Sequence, residues 1–141
     1  MNSDHNSLTN SIIELALEED LGKRGDISSN FFITETAIAC GKIIAREDCV
    51  ISGSEVASSV FNKVNPEIKI EIRIPSGESV IAGETIIVAS GPARSILTAE
   101  RTALNFLQRL SGIATLTKKY VDLIAGTKAK IFDTRTTTPG M

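Results

Sequence analysis

Hydrophobic residues recur at helical spacing in the first half of the chain. The sequence from Ser11 to Glu14 has the spacing of a capping box, and the apolar positions that follow predict a first helix that ends at Gly22. A further helix is predicted from about Ser54 to Asn65, where the next residue is a proline that disfavours helical conformation before it. The predicted buried faces are Ile12, Ile13, Ala16, Leu17 and Leu21 in the first helix, and Val56, Val60, Phe61 and Val64 in the next.

Helical spacing returns after Pro92. One helix is predicted to bury Leu97, Leu104, Leu107 and Leu110 and to expose Arg101, Asn105 and Gln108. Ser111-Gly112 is expected to break it, and another helix is predicted from Ala114 to Ile124 with Leu116, Tyr120, Leu123 and Ile124 facing inward.

A strand pattern occupies the middle of the chain. Isoleucines alternate with charged residues from Ile68 to Ile74, which predicts an antiparallel strand with one solvated face. Shorter apolar runs separated by Gly and Pro turns predict strands over residues 37–46, 49–51, 80–81 and 85–90. These segments together predict a small β-sandwich or barrel subdomain.

A last apolar run, Ala129 to Asp133, predicts a short buried strand. The fold class is therefore α+β, with helices flanking the β subdomain, followed by the start of a second unit. We expect the division to be residues 1–112 and 113–141. Only residues 134–141 follow the final strand, so a parallel sheet begun there would lack a later partner, which suggests truncation.

Composition excludes several function classes. The 15 Lys and Arg nearly balance the 17 Asp and Glu, and aromatic residues are only 4%, so nucleic-acid binding is not expected. His5, in a polar terminal segment, is the single histidine, which argues against Ser-His-Asp and Cys-His catalysis. No long apolar segment or signal peptide is evident, so a cytoplasmic location is expected. Cys40 and Cys49 are interpreted as reduced structural thiols.

Four ordered segments resemble a known enzyme family. The longest is residues 100–115, ERTALNFLQRLSGIAT. The others are residues 17–22 (LEEDLG) with Gly25-Asp26, residues 77–92 with their Gly and Pro positions, and residues 133–140 (DTRTTTPG). These segments resemble quinolinate phosphoribosyltransferases, also called nicotinate-nucleotide pyrophosphorylases.

The resemblance implies an activity and an assembly. Members join quinolinate to phosphoribosyl pyrophosphate with Mg²⁺, forming nicotinate mononucleotide, pyrophosphate and CO₂ in NAD biosynthesis. They pair an N-terminal domain with an incomplete α/β barrel that holds most of the active site. The resemblance also implies a homodimer, or a hexamer of three dimers, in which a partner subunit completes each site. The expected Mg²⁺ ligands lie in the barrel and not in this chain.

The resemblance implies four substrate-binding residues: Arg101, Thr134, Arg135 and Thr136. Arg101 corresponds to the arginine that reaches across the dimer interface to a quinolinate carboxylate. Thr134 and Arg135 follow the predicted barrel strand, where a hydroxyl and a guanidinium suit anionic substrates. Thr136 stands where the family has a lysine, so one expected positive charge is missing. The loop residues Gly25 and Asp26 are assigned a structural role.

Two other functions compete with the transferase. A catalytically inactive remnant of the enzyme agrees with the early end of the sequence and with Thr136. A small β-sandwich carrier domain is the third hypothesis, because the Gly-rich strands from Ser76 to Gly91 resemble lipoyl-type domains. Those strands contain no lysine to carry a cofactor, which makes this hypothesis the weakest.

Overall fold

The computed structural model describes residues 2–134, with side chains from residue 7 onward. Four helices and five short strands form two antiparallel sheets and a helical layer within this range. In chain order the elements are α1 Asn2–Leu21, α2 Ile27–Phe32, β1 Ile38–Ile44, β2 Cys49–Val50, α3 Ser54–Val64, β3 Lys69–Ile72, β4 Ser79–Val80, β5 Thr85–Pro92 and α4 Ala93–Leu123.

The larger sheet has β5 at its centre, with the order β1-β5-β3. Ile38 is opposite Pro92 at one end of the β1–β5 pair, and Ile70 is opposite Ala89 in the β3–β5 pair. The isoleucines of β3 point toward the core while Lys69 and Glu71 are exposed. The smaller sheet pairs β2 with β4. The predicted β subdomain and the alternation in β3 are therefore confirmed.

Small residues let α3 and α4 pack closely on the sheets. Ala57 and Val60 of α3 and Ala99 and Ala103 of α4 are completely buried. Close-packed interiors of this kind lose dispersion contacts when any side chain is shortened. The remaining core comes from the predicted faces of α1 and α3 and from the sheets, chiefly Ile13, Leu17, Ile51, Phe61, Ile68, Val80, Ile86, Ile87, Ile96 and Leu107.

The predicted break at Ser111-Gly112 is wrong, because α4 continues through it to Leu123. The buried Ser111 hydroxyl accepts a hydrogen bond from the Ser52 N–H at 3.0 Å. One turn later, the Thr115 hydroxyl accepts from the Val50 N–H at 2.9 Å and donates to the Ser111 carbonyl at 2.7 Å. These contacts tie the helix to the segment before α3, so tertiary structure overrides the weak helix propensity of serine and glycine. The division at residue 112 stays a prediction, although α4 spans it.

Three other expectations differ from the structure. The first helix begins at Asn2, before the predicted capping box, and Ser11 lies inside it with its hydroxyl donating to the Ser7 carbonyl. Leu97 is 43% exposed, because Ile96 and Ala99 face the core instead. Residues 129–134 form no strand.

The predicted inner face of the last helical segment is exposed in this structure. The side chains of Leu116, Tyr120 and Leu123 are 55%, 54% and 78% exposed. No described element covers these three side chains. Helical periodicity identified the apolar stripe correctly but could not indicate what would cover it.

Candidate functional site

Arg101 lies on the exposed side of α4. Its side chain is 74% exposed, and its Nη1 donates a hydrogen bond to Oδ1 of Asp20 at 2.9 Å. Asp20 is near the end of α1, and its side chain is only 19% exposed. The ion pair therefore joins a well-shielded carboxylate to a largely exposed guanidinium.

The loop between α1 and α2 places a second carboxylate near Arg101. Gly25 has a positive φ of 64°, and Asp26 follows as the residue that caps α2. Asp26 Oδ1 accepts from the Ser29 N–H at 2.9 Å, and Oδ2 accepts from the Thr98 hydroxyl at 3.2 Å. The structural role assigned to these two loop residues is thus confirmed, because Asp26 caps a helix.

The pKa of Asp26 lies below its ordinary value. The hydrogen bonds from Ser29 are the main cause, with smaller contributions from the Thr98 hydroxyl and the positive charge of Arg101, against an opposing effect of burial. Each favourable cause stabilises the carboxylate over the carboxylic acid. Asp26 is therefore a fixed negative charge near Arg101 at neutral pH.

Arg101, Asp20 and Asp26 line a small cavity of about 190 Å³. The rest of its lining comes from Leu21, Gly25, Ile27, Ser28, Leu97 and Thr98. On the other side of Asp20, a second cavity of about 340 Å³ is lined by Asp20, Asn105 and Arg109, among others. Asp20 thus contributes to the lining of both cavities beside α4.

The sequence-predicted site residues are not brought together among the described residues. Thr134 lies in the irregular segment after α4 and is exposed. Arg135 and Thr136 fall outside the described residues. Of the four candidates, Arg101 is the one whose surroundings are defined in detail. Lys118 and Lys119 are exposed much further along α4, and Lys118 pairs with Asp122.

The described residues do not fit a Mg²⁺ site. Within residues 2–134, no group of three or more His, Cys, Asp or Glu side chains is placed to hold a metal ion. Asp20 and Asp26 lie near a guanidinium, and Mg²⁺ requires several oxygen ligands in octahedral geometry. No chemistry is therefore assigned to a metal on this surface.

Sequence reasoning missed Asp20 as a neighbour of Arg101. Asp20 lies in the segment LEEDLG that carries part of the family resemblance, so the signal was present. The pair is separated by 81 positions, and a contact at that separation depends on how α1 crosses α4. No local pattern in the sequence encodes that crossing.

Comparisons with known proteins agree with the resemblance. The chain matches the family "Quinolinate phosphoribosyl transferase, N-terminal domain" over residues 26–111. It is 41% identical over 130 residues to a quinolinate phosphoribosyltransferase [decarboxylating] of Nicotiana glauca, covering 92% of this chain and 37% of that protein. A nicotinate-nucleotide pyrophosphorylase [carboxylating] of Mycobacterium leprae is 39% identical over 131 residues, with 92% and 46% covered.

Solved structures give the same result for the fold. The nicotinate-nucleotide pyrophosphorylase of Francisella tularensis superposes with a TM-score of 0.89 at 38% identity, covering 96% of this chain and 48% of that one. The corresponding protein of Ehrlichia chaffeensis superposes with a TM-score of 0.86 at 39% identity, covering 93% of this chain and 47% of that one. The chain therefore spans less than half the length of these relatives. Among residues 2–134, no helix has both the length and the apolar character needed to cross a membrane.

Proposed function

Because the chain belongs to the quinolinate phosphoribosyltransferase N-terminal domain family, we propose that it supplies this domain to an enzyme that makes nicotinate mononucleotide. The substrates would be quinolinate and phosphoribosyl pyrophosphate. The pyridine nitrogen forms a bond to the ribose carbon as pyrophosphate leaves. The 2-carboxylate is then lost as CO₂, and the electron pair left on that ring carbon takes up a proton. The relatives named above carry this activity in their names.

The observation that carries the proposal is the exposed guanidinium of Arg101. Quinolinate bears two carboxylates, and a planar guanidinium binds a carboxylate through two parallel hydrogen bonds. The side chain of Arg101 is 74% exposed, and its hydrogen bond to Asp20 is donated by Nη1. An arginine side chain has five N–H donors, so a bond from one nitrogen leaves further donors for a carboxylate. Arg101 would hold quinolinate in a partner subunit of a homodimer, or of a hexamer built from three dimers.

The proposed reaction needs groups beyond this surface. Positive charge develops on the ribose as pyrophosphate leaves, so preorganised groups must surround the reacting atoms. Thr134, Arg135 and Thr136 would contribute further contacts, with Mg²⁺ held by residues outside those described. We propose a cytoplasmic location for this chain, in contrast to plant relatives that are chloroplastic or mitochondrial by name.

The test uses a full-length chimera in which this chain replaces the matching half of the Francisella tularensis relative. Arg101→Lys keeps the charge but loses the bidentate geometry. We expect the KM for quinolinate to rise about tenfold, a loss in the range of one charged hydrogen bond, while the KM for phosphoribosyl pyrophosphate changes little.

The matched control is Arg73→Lys. Arg73 is also an exposed arginine. It follows β3 directly and pairs with Glu71 of that strand at 3.0 Å. This change should leave both KM values unaltered. Equal losses for both substrates in Arg101→Lys would indicate an assembly defect and would contradict a role in quinolinate binding.

The inactive remnant is the second candidate function. Thr136 favours it, because a threonine provides no positive charge for an anionic substrate. A chimera without activity that gains activity on Thr136→Lys would support this candidate. An active chimera that retains Thr136 would contradict it.

A further inference from the structure

Two carboxylates near Arg101 have no role in the proposed chemistry, yet both hold defined positions on the loop side of α4. We propose that Asp20 is a positioning residue for Arg101. We also propose that Asp26 holds in place the corner that carries Asp20, which is the end of α1 together with the loop to α2 and α2 itself. This inference rests on the proposed function, because it assumes that Arg101 binds a substrate carboxylate.

The two members of the Arg101–Asp20 pair differ strongly in exposure. The carboxylate is largely shielded by the protein, whereas three quarters of the arginine side chain is exposed. A free arginine side chain has many rotamers, and binding a ligand through it requires that this freedom be lost. A fixed carboxylate that already binds Nη1 restricts the guanidinium before the ligand arrives, which is preorganisation.

The corner that carries Asp20 is itself tied to α4 at three successive points. Arg94 Nε donates to the Ile33 carbonyl at 2.8 Å, at the end of α2. The Thr98 hydroxyl donates to Asp26 at 3.2 Å, and Arg101 donates to Asp20 at 2.9 Å. These α4 residues are four and then three positions apart, so they share one face of the helix.

The loop between these points is closed by backbone hydrogen bonds. The Gly22 N–H donates to the Glu18 carbonyl at 2.9 Å, and the Gly25 N–H donates to the Leu21 carbonyl at 3.0 Å. Asp26 then caps α2. The end of α1 therefore has little freedom to move relative to Arg101, and the same contacts hold Asp20 in place.

The direction in which quinolinate affinity changes on removal of Asp20 distinguishes a positioning role from a purely electrostatic one. Asp20 and Asp26 are negative and repel a dicarboxylate, so their charge alone would weaken quinolinate binding. A favourable effect of Asp20 on quinolinate binding must therefore come from geometry. If Asp20 merely competed with the substrate for Arg101, removing its charge would strengthen binding.

The first experiment measures both KM values in the chimera described above. Asp20→Ala should raise the KM for quinolinate about tenfold, since misplacement of a positioning contact by about 1 Å has costs of this order or larger. The KM for phosphoribosyl pyrophosphate and the Tm should change little. Asp20→Asn keeps an oxygen acceptor for Nη1 and should recover part of the loss. If turnover is too slow to follow, quinolinate binding by calorimetry gives the same comparison.

Glu14→Ala is the matched control. Glu14 is also an acid on α1 that pairs with a basic side chain, Lys63, but the pair is on a different part of the surface. Its removal changes the net charge as Asp20→Ala does. It should leave both KM values unchanged.

The second experiment observes Arg101 directly in the 141-residue chain. The heteronuclear ¹⁵N NOE of the Arg101 Nε reports the mobility of the guanidinium on the picosecond to nanosecond timescale. We expect Asp20→Ala to lower this NOE at Arg101 and to leave that of Arg73 unchanged. An unchanged Arg101 NOE would overturn the positioning role.

The outcomes separate this inference from the proposed function. If Arg101→Lys raises the KM for quinolinate and Asp20→Ala does not, the positioning role is wrong and the proposed function stands. A fall in that KM on Asp20→Ala would identify Asp20 as a competitor and also overturn the inference. If neither variant affects quinolinate, the proposed function fails. Equal changes in both KM values with a lower Tm would indicate a purely structural role for Asp20.

Discussion

Gly53 and Leu110 approach so closely that a Cβ on Gly53 would lie 2.6 Å from Cδ1 of Leu110. Gly53 precedes α3 with a positive φ of 93°, and Leu110 belongs to α4. The backbone at the start of α3 therefore packs directly against a side chain of the long helix. The positive φ favours glycine at this position, and a Cβ added there would also require the Leu110 side chain to shift.

Gly53→Ala should lower the free energy of unfolding by about 2 to 5 kcal/mol, combining about 1 to 2 kcal/mol of backbone strain with about 1 to 3 kcal/mol of overpacking. Gly77→Ala is the matched control, because Gly77 has a similar φ of 99° but open space around its Cβ position. That variant should lose only the strain. Urea unfolding of both variants measures the difference, and equal losses would show that Leu110 gives way without cost.

Local signals in the sequence were sufficient for elements whose ends are set by local chemistry. Helix α3 ends at Val64 because Asn65 precedes a proline, and β3 follows from the alternation of isoleucine with charged residues. The Ser111-Gly112 position shows the limit of such reasoning. Its helix is continued by a hydrogen bond from Ser52, a residue far away in sequence, and local propensity contains no information about that contact.

The sequence likewise predicted one part of the candidate site and not another. The resemblance identified Arg101, and helical periodicity placed it correctly on the exposed face of α4. The contact with Asp20 depends on the packing of α1 against α4, which the sequence pattern does not specify. Thr134, Arg135 and Thr136 remain predictions, because Arg135 and Thr136 lie outside the described residues.

Acid should weaken the fold through Asp26 and Glu55. Hydrogen bonds from Ser29 lower the pKa of Asp26, and the hydroxyl of Ser76 lowers the pKa of Glu55, from ordinary values of 3.8 and 4.5. A folded-state pKa below the unfolded value stabilises the protein above the unfolded pKa, and that stability is lost as pH falls through the folded pKa.

We therefore expect the urea midpoint to be constant near neutral pH and to fall below about pH 4.5. The double variant Asp26→Asn, Glu55→Gln should be less stable at pH 7 and should show a shallower decline in acid. Urea titrations followed by circular dichroism at several pH values make the comparison. Parallel pH profiles for the two proteins would mean that other carboxylates control acid unfolding.

The 141-residue chain should self-associate. Leu116, Tyr120 and Leu123 form an apolar stripe on α4, and each is more than half exposed. Contiguous exposed apolar surface of this kind marks an interaction site or an aggregation liability. Light scattering at about tens of micromolar, where such surfaces normally associate, should give a mass above that of one chain.

The role of this apolar stripe in self-association can be tested by substitution, with a polar residue on the same helix as the control. Leu116→Gln with Leu123→Gln should shift the chain toward the monomer, because it removes apolar area without altering the buried faces. Lys118→Gln lies on the same helix and should leave the association constant unchanged. If the glutamine pair still associates fully, the exposed rings of Phe31 and Phe32, 5.0 Å apart on α2, are the next surface to alter.

The 141-residue chain alone should form no nicotinate mononucleotide, even with Mg²⁺ and both substrates at saturation. Among the described residues, Arg101 is the candidate substrate-binding guanidinium, and no group of side chains is placed to hold a metal ion. Phosphoribosyl transfer requires donors around the leaving pyrophosphate as well as around the pyridine, and a single surface cannot surround the reacting atoms. Weak binding of quinolinate without turnover is therefore expected. Chromatography of the product, with heat-inactivated protein as the blank, makes the measurement for this chain, for the chimera, and for the chimera with Thr136→Lys. Product from the short chain above the blank would contradict the prediction, whereas product from the chimera alone would show that the catalytic groups are supplied by the barrel half.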